Sequence, residues 1–194
     1  RPRAPTPHEA LGRPDPDPAI ATVTLDGARA TVCRADACRE LAFAERSRGA
    51  SPEIAVSDDG RLVAAIFDQG GTDDNRLPAH AVAHDVATGR RLSRFEVGAA
   101  QGYEQLQFLG DALLVTSTPC AGPCSSSRLY DPRTGKRLGA IGGTEAINTS
   151  ELSAARVAGD VWAFNDWGTA TVVYQDVRTG RVVRRVERPW TCPP

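Results

Sequence analysis

The sequence contains no methionine, few aromatic residues and no long apolar run. None of its 194 residues is methionine, not even the first, so we expect the chain to begin after a processing site or an expression boundary. Hydrophobic residues make up 41% of the chain but occur in short runs, none near the roughly 18 residues that a membrane span requires. The sequence therefore predicts a globular chain that does not insert into a membrane.

An excess of charge of one sign is also absent. The chain carries 23 basic and 24 acidic residues, which gives a formal net charge of −1. Nucleic acids and anionic membranes attract proteins that concentrate positive charge, so this balance predicts neither kind of partner. Histidine is scarce as well, with three residues in the chain. Few groups are therefore available for acid–base chemistry or for metal ligation.

What is present is one short pattern, Asp-x-x-Thr-Gly-(Arg/Lys)-x-(Leu/Val), that occurs three times. It begins at Asp85, Asp131 and Asp176, at intervals of 46 and 45 residues. In each copy the Asp side chain can accept hydrogen bonds from backbone N–H groups two or three residues on, and the Gly supplies a position with positive φ. The pattern predicts a β-hairpin turn. A period of about 40–50 residues that ends in such a hairpin is typical of propeller blades.

Short strand-like runs fill the sequence between these hairpins, and we find no convincing helix. A continuous apolar run over 62–67 is suited to a buried inner strand. In the first unit a cysteine-containing turn takes the place of the repeated pattern, and an outer strand is predicted over 41–44. The predicted units are 20–50, 51–98, 99–143 and 144–187 of a single domain over 20–194. We expect a disordered proline-rich leader over 1–19 and a C-terminal tail over 188–194.

The pattern resembles the bacterial β-propeller repeat families, namely the WD40-like, YVTN-type and quinoprotein-like repeats. The Ser-Asp-Asp-Gly turn at 57–60 and the three repeated hairpins carry the match, which covers about residues 20–187. The resemblance implies an all-β, propeller-like array of about four blades of antiparallel strands. The array would be a small closed ring or part of a larger propeller. Because these residues shape turns, and because propellers host many unrelated functions, the resemblance implies no particular activity.

Four of the five cysteines form close pairs, Cys33 with Cys38 and Cys120 with Cys124. Each pair would bracket a hairpin turn, where facing residues can meet the Cα separation of about 5.5 Å that a disulfide needs. We expect two disulfides and hence an extracytoplasmic location, whether secreted, periplasmic or at the cell surface. Free cysteines and a four-cysteine zinc site are the alternatives. Cys192 is left over and could link two chains into a dimer or contact further blades.

The polar loops over 68–78, 119–126 and 166–169 are predicted to form a contact surface for a protein or polysaccharide partner. Binding residues concentrate in such loops because a rigid scaffold positions them. Within the loops we single out four candidate partner-binding residues: Asp73, Asp74, Asn75 and Trp167. The acidic stretch could bind Ca²⁺ through its oxygen atoms, but its spacing matches no known calcium loop.

His80 and His84 lie four residues apart in a predicted strand, so both side chains point to the same face. They could ligate a metal, but no third ligand is close in sequence, and we interpret them as ordinary strand residues. Trp162 lies in an apolar run and is predicted to belong to the core. We therefore predict no catalytic residue, no cofactor and no metal site.

The sequence favours a non-catalytic binding module. Two other functions stay open. One is a propeller-type lyase or hydrolase, which would require His, Tyr or carboxylate side chains that converge at the central channel. The other is a structural fragment of a multidomain surface protein, which the proline-rich leader and Cys192 would suit.

Overall fold

The computed structural model describes residues 21–34, 37–48, 52–72, 75–98, 102–118, 126–143, 154–166 and 171–187. They form four antiparallel sheets that follow one another along the chain, with a small ribbon inserted in the second. The first sheet contains β1 (Thr22–Asp26), β2 (Arg29–Arg34) and β3 (Ala37–Ala42). The second contains β4 (Glu53–Val56), β5 (Leu62–Phe67), β8 (Ala79–Asp85) and β9 (Arg91–Gly98), and the ribbon joins β6 (Gly71–Thr72) to β7 (Asn75–Arg76).

The third and fourth sheets repeat the four-stranded order. The third contains β10 (Gly102–Leu109), β11 (Ala112–Thr118), β12 (Ser126–Tyr130) and β13 (Arg137–Ala140). The fourth contains β14 (Ala154–Ala158), β15 (Val161–Asp166), β16 (Thr171–Asp176) and β17 (Arg181–Glu187). Across the described ranges the helical structure is one short 3₁₀ turn, Ile141–Gly143, and no helix there has the length and apolar character to cross a membrane.

The second sheet is covered on both faces, which explains why β5 is apolar at every position. Its six residues are all buried. Side chains alternate along a strand, so Val63 and Phe67 pack against the first sheet while Leu62 and Ile66 pack against the third. Burial of each large apolar side chain stabilises the fold by about 1.5–3 kcal/mol. The apolar run over 62–67 is thus the inner strand of a sheet sandwiched between two others.

The same alternation continues the stack through the third sheet. Leu113 and Val115 of β11 face the second sheet, whereas Leu114 packs with Trp162 and Phe164 of the fourth. Three apolar clusters therefore join the first sheet to the second, the second to the third and the third to the fourth. Among the residues that the structure describes, no such cluster joins the fourth sheet to the first.

The first strands of the first three sheets meet along one edge of the stack. β4 contacts both β1 and β10, as the innermost strands of neighbouring blades do. This arrangement confirms the all-β, propeller-like array of about four antiparallel units.

Two details of the sequence prediction were wrong. The last strand of the first sheet runs over Ala37–Ala42 and not over 41–44, because it pairs with β2 directly from Ala37, which lies opposite Arg34. The stretch 68–78, predicted as a plain loop, contains the two-stranded ribbon.

Candidate functional site

Each repeated hairpin forms the predicted turn. In the first copy the Asp85 Oδ1 accepts hydrogen bonds from the backbone N–H and the hydroxyl of Thr88, both at 2.7 Å. In the third copy the Asp176 Oδ1 accepts from the Thr179 N–H at 2.9 Å. The Gly N–H of each copy donates to the Asp carbonyl at 2.8–2.9 Å. The Asp and Thr side chains are thus used to close the turn.

These hydrogen bonds also change the acidity of the Asp side chains. The Thr88 hydroxyl, followed by the Thr88 backbone N–H, holds the pKa of Asp85 below its usual value of 3.8. The Thr179 backbone N–H does the same to the pKa of Asp176. The shifts follow because hydrogen bonds to a carboxylate favour its charged form.

The glycines of the repeated turns lie against the preceding sheet. A Cβ on Gly135 would come within 2.8 Å of the Phe95 ring, and a Cβ on Gly180 would overlap the Leu138 carbonyl oxygen. Ser93 of β9 also donates a hydrogen bond to the Pro132 carbonyl at 2.5 Å. The hairpin end of each sheet, which we call the hairpin face, therefore holds neighbouring sheets together.

The opposite end of the sheets is the loop face, where β5 connects to β8, β11 to β12 and β15 to β16. All the loops that the sequence analysis named are connections of this kind. Asn75 lies in the ribbon, on β7. The other named residues lie outside the described residues: Asp73, Asp74, Trp167, Cys120, Cys124 and Cys192.

Cys33 and Cys38 form a disulfide at the hairpin face of the first sheet, the pairing expected from their spacing. The neighbouring Arg34 lies beside Gly60, and Arg39 donates to the Ala87 carbonyl of the first repeated turn. The two cysteines are directly opposed across β2 and β3, with their Cα atoms 4.0 Å apart. Among the described residues this sheet has three strands, whereas each of the three sheets that follow it along the stack has four.

His80 and His84 share one face of β8, as predicted, and that face is turned towards the first sheet. The His84 ring packs edge-on against Phe43 with ring centroids 4.9 Å apart, and its Nδ1 lies 3.2 Å from the Gly89 carbonyl oxygen. Burial, and then the Arg94 guanidinium, lower the pKa of His80. No cluster of three or more His, Cys, Asp or Glu residues occurs in the described part of the chain. The contacts of His84 with Phe43 and Gly89 are packing and hydrogen-bonding contacts.

Trp162 is 8% exposed and belongs to the cluster between the third and fourth sheets. Its place in the core agrees with its apolar sequence context.

Gln175, in contrast, is a polar residue that is fully buried at the same junction. Its side chain accepts from the Gly142 N–H at 2.9 Å and donates to the carbonyls of Ala140 and Gly180 at 2.9 and 2.8 Å.

A cavity of about 450 Å³ opens where the segment after β3 crosses the second sheet. We call it the arginine pocket. Three of its seven lining residues are arginines: Ala44, Glu45, Arg46, Ser47, Arg48, Gln69 and Arg94. The sequence analysis missed it because its walls come from three separate stretches of chain. The alternating Arg46 and Arg48 were the only local indication.

Hydrogen bonds fix the two sides of the arginine pocket to each other. The Arg48 N–H donates to the Asp68 carbonyl at 2.8 Å, and the Asp68 N–H donates to the Ser47 Oγ at 3.0 Å. The Asp68 carboxylate in turn accepts from the Gly70 N–H at 2.9 Å. The segment after β3 is therefore joined to the start of the 68–78 connection, and the pocket is formed before any ligand arrives.

The charges of the arginine pocket are only partly compensated. The Glu45 Oε1 lies 3.1 Å from Arg91 Nη1 and 3.7 Å from Arg94 Nε. Arg46 and Arg48 are exposed and form no ion pair with a carboxylate of the described residues. The Glu45 Oε2 is buried and has no hydrogen-bond partner in the described structure. The pocket thus offers two free cations beside one unused acceptor, an arrangement suited to holding an anionic group.

No known family model matches this sequence, and no curated protein matches it. Solved structures do match. BamB from Moraxella catarrhalis superposes with a TM-score of 0.51 at 12% identity, over 86% of this chain and 47% of the BamB chain. Kluyveromyces lactis Hsv2 superposes with a TM-score of 0.50 at 9% identity, over 85% of this chain and 57% of the other.

A third match, the Dos1 propeller, has a TM-score of 0.49 at 10% identity and covers 82% of this chain and 43% of the other. The chain therefore spans about half the length of the solved structures that it matches. BamB is a β-propeller protein. At these identities the likeness concerns the fold alone, and it agrees with the stacked sheets: the chain has a β-propeller scaffold.

Proposed function

We propose that this chain is a non-catalytic, extracytoplasmic binding module that presents the loop face of its propeller scaffold to a partner protein. The observation that carries the proposal is the arginine pocket, an open and preformed cavity beside the 68–78 connection. The hairpin face is occupied by contacts between sheets, whereas Arg46, Arg48 and Leu77 are exposed near the loop face. Exposed side chains on a rigid frame are what a binding surface requires.

The extracytoplasmic part of the proposal rests on the disulfide. Cys33 and Cys38 are bonded, and thiol-reducing systems keep such bonds rare in the cytosol. The bond closes a short hairpin and takes part in no described site. A structural role of this kind is typical of proteins that work in an oxidising compartment.

The enzymatic alternative receives no support from His80 and His84. Both lie in β8 between the first and second sheets, and neither belongs to the innermost strands that would line a channel. Ser47, the hydroxyl in the arginine pocket, is used by the Asp68 backbone. The pocket therefore suits binding better than nucleophilic catalysis.

Site-specific photo-crosslinking in cells that produce the protein tests the proposal. A benzophenone amino acid is placed at Leu77 on the loop face or, as matched controls, at the exposed positions Ala87 and Arg178 on the hairpin face. We expect a discrete protein adduct from Leu77 and none from the controls, with the Cys33–Cys38 bond intact in non-reducing mass spectra. Adducts from the hairpin face alone would overturn the loop face as the binding surface. A carbohydrate adduct would overturn the choice of a protein partner, and free thiols at both cysteines would overturn the extracytoplasmic location.

A further inference from the structure

We propose that the arginine pocket binds an acidic segment of the partner protein, by pairing Asp or Glu side chains with Arg46 and Arg48 while a backbone N–H of the same segment donates to Glu45. This inference rests on the proposed function and names the chemistry of the partner. Its charged contacts come from Arg46 and Arg48, which form no ion pair with a carboxylate of the described residues.

The first step of the argument is charge. The pocket wall holds three arginines against one glutamate, so an anionic ligand is favoured over a cationic one. The Glu45 carboxylate is paired with Arg91 and Arg94 at 3.1 and 3.7 Å, which leaves Arg46 and Arg48 without a carboxylate among the described residues. The guanidinium group matches a carboxylate in two parallel hydrogen bonds, which makes a carboxylate a well-suited occupant.

The second step is the unused acceptor. The Glu45 side chain is 11% exposed, and its Oε2 is buried with no hydrogen-bond partner in the described structure. A buried acceptor is normally satisfied, so the oxygen indicates a ligand that brings a donor as well as an anion. An inorganic anion such as chloride or sulfate brings no donor, whereas each residue of an acidic peptide brings a carboxylate and an N–H together.

The third step separates a peptide from an acidic polysaccharide, which could also offer carboxylates and hydroxyl donors. None of the residues lining the arginine pocket is aromatic, so the pocket has no flat apolar surface for a sugar ring. Its rim is instead formed by irregular backbone at 44–48, joined by hydrogen bonds to Asp68. A charged wall with no aromatic surface suits a peptide better than a sugar.

The fourth step is rigidity. Arg94 is held by Glu45, and the backbone of Arg48 is held by the Asp68 carbonyl at 2.8 Å. The Gln69 side chain is held by a hydrogen bond to the Phe67 carbonyl at 3.3 Å. A preformed site loses less conformational freedom on binding, so a short acidic peptide requires little more than a turn of the Glu45 carboxylate towards its N–H.

The experiment measures fluorescence anisotropy of a labelled hexaglutamate peptide titrated with the whole protein at low salt. We compare the wild type with Arg46→Gln/Arg48→Gln and with the control Arg90→Gln/Arg178→Gln, which removes the same charge from the hairpin face. We expect the pocket variant to weaken binding about tenfold and the control less than twofold, because only the pocket residues form charge-assisted hydrogen bonds with the peptide. Circular dichroism checks that both variants are folded.

A second probe tests the role of Glu45. A hexaglutamate peptide with methylated backbone nitrogens keeps the carboxylates but loses the N–H donors, and we expect it to bind about fivefold more weakly, the effect of one hydrogen bond. Equal binding of the methylated peptide would overturn the Glu45 contact. Tighter binding of polygalacturonate than of hexaglutamate would overturn the choice of a peptide.

No saturable binding of hexaglutamate, or equal weakening in the pocket and control variants, would overturn the inference as a whole. If the Leu77 crosslink still formed in that case, the proposed loop-face function would stand and only the acidic-peptide pocket would fall. If neither hexaglutamate binding nor the crosslink were observed, both would fall.

Discussion

A comparison of Gly180→Ala with Gly89→Ala tests whether the repeated turns hold the sheets together. The two glycines occupy the same place in two copies of the pattern and have nearly the same φ, +73° and +71°. They differ in their surroundings. A Cβ on Gly180 would overlap the Leu138 carbonyl oxygen, whereas the nearest atom to a Cβ on Gly89 is a methyl carbon of Leu41 at 3.7 Å, an ordinary contact.

The expected loss of stability has two parts. Both substitutions place an alanine in the left-handed region, which costs about 1–2 kcal/mol. Gly180→Ala also forces β13 and the fourth sheet apart, and overpacking of this kind costs a further 1–3 kcal/mol or so. We therefore expect Gly89→Ala to lower the free energy of unfolding by about 1–2 kcal/mol and Gly180→Ala by about 2–5 kcal/mol.

Urea denaturation of the oxidised protein, followed by tryptophan fluorescence, measures the difference. With an m-value of about 2 kcal/mol/M, the midpoints of the two variants should differ by about 0.5–1.5 M. Gly159→Ala is the control for backbone strain alone, because Gly159 has φ +55° and a Cβ at this position would meet no atom within 4 Å. Equal midpoints for Gly180→Ala and Gly89→Ala would refute the close approach of the third and fourth sheets.

Three further outcomes are expected. Gln175→Ala should lower the free energy of unfolding by about 2–4 kcal/mol, because it leaves a buried N–H and two carbonyls without their partner. A loss below about 1 kcal/mol in urea titration would contradict this prediction. Cys33→Ser/Cys38→Ser should lower the free energy of unfolding by about 2 kcal/mol, because the unfolded chain without the disulfide has more conformational freedom. An unchanged thermal midpoint would count against this prediction. The pKa values of Asp85 and Asp176 lie below 3.8 in the folded state, so their stabilisation is present above that pH and is lost as the pH falls through the folded pKa. Asp85→Asn/Asp176→Asn should therefore flatten the dependence of the urea midpoint on pH between about 5 and 2.5, and an unchanged acid dependence would disprove the assignment.

The fold could be predicted because its determinants are local and repeated. The pattern at Asp85, Asp131 and Asp176 specifies a turn through hydrogen bonds within five residues, and each copy fixes the pairing of two strands. The apolar run over 62–67 likewise implies a strand covered on both faces. The contacts between the turns and the neighbouring sheets could not be predicted. The contact of Gly180 with Leu138, for example, joins residues of different units, and no repeated sequence pattern marks it.

The candidate site was beyond prediction for a related reason. Arg46, Gln69 and Arg94 belong to three stretches that meet only when the segment after β3 crosses the second sheet. Exposed arginines are common, and nothing in the sequence shows that Glu45 would be buried against Arg91 and Arg94. The residues chosen from sequence were those at the tips of polar loops, where exposure can be inferred without knowing the packing.

The two ends of the sheets have different roles: the hairpin face stabilises the fold, and the loop face is the proposed binding surface. At the hairpin face the repeated aspartates form the turns and the repeated glycines contact the preceding sheet, so substitutions there change the free energy of unfolding. At the loop face the second unit carries the ribbon and the arginine pocket. Because the scaffold does not depend on Arg46 or Arg48, their replacement should alter affinity at constant stability, while Gly180→Ala should alter stability at constant affinity. A protein in which both substitutions changed both quantities would have its binding surface coupled to the packing between its sheets.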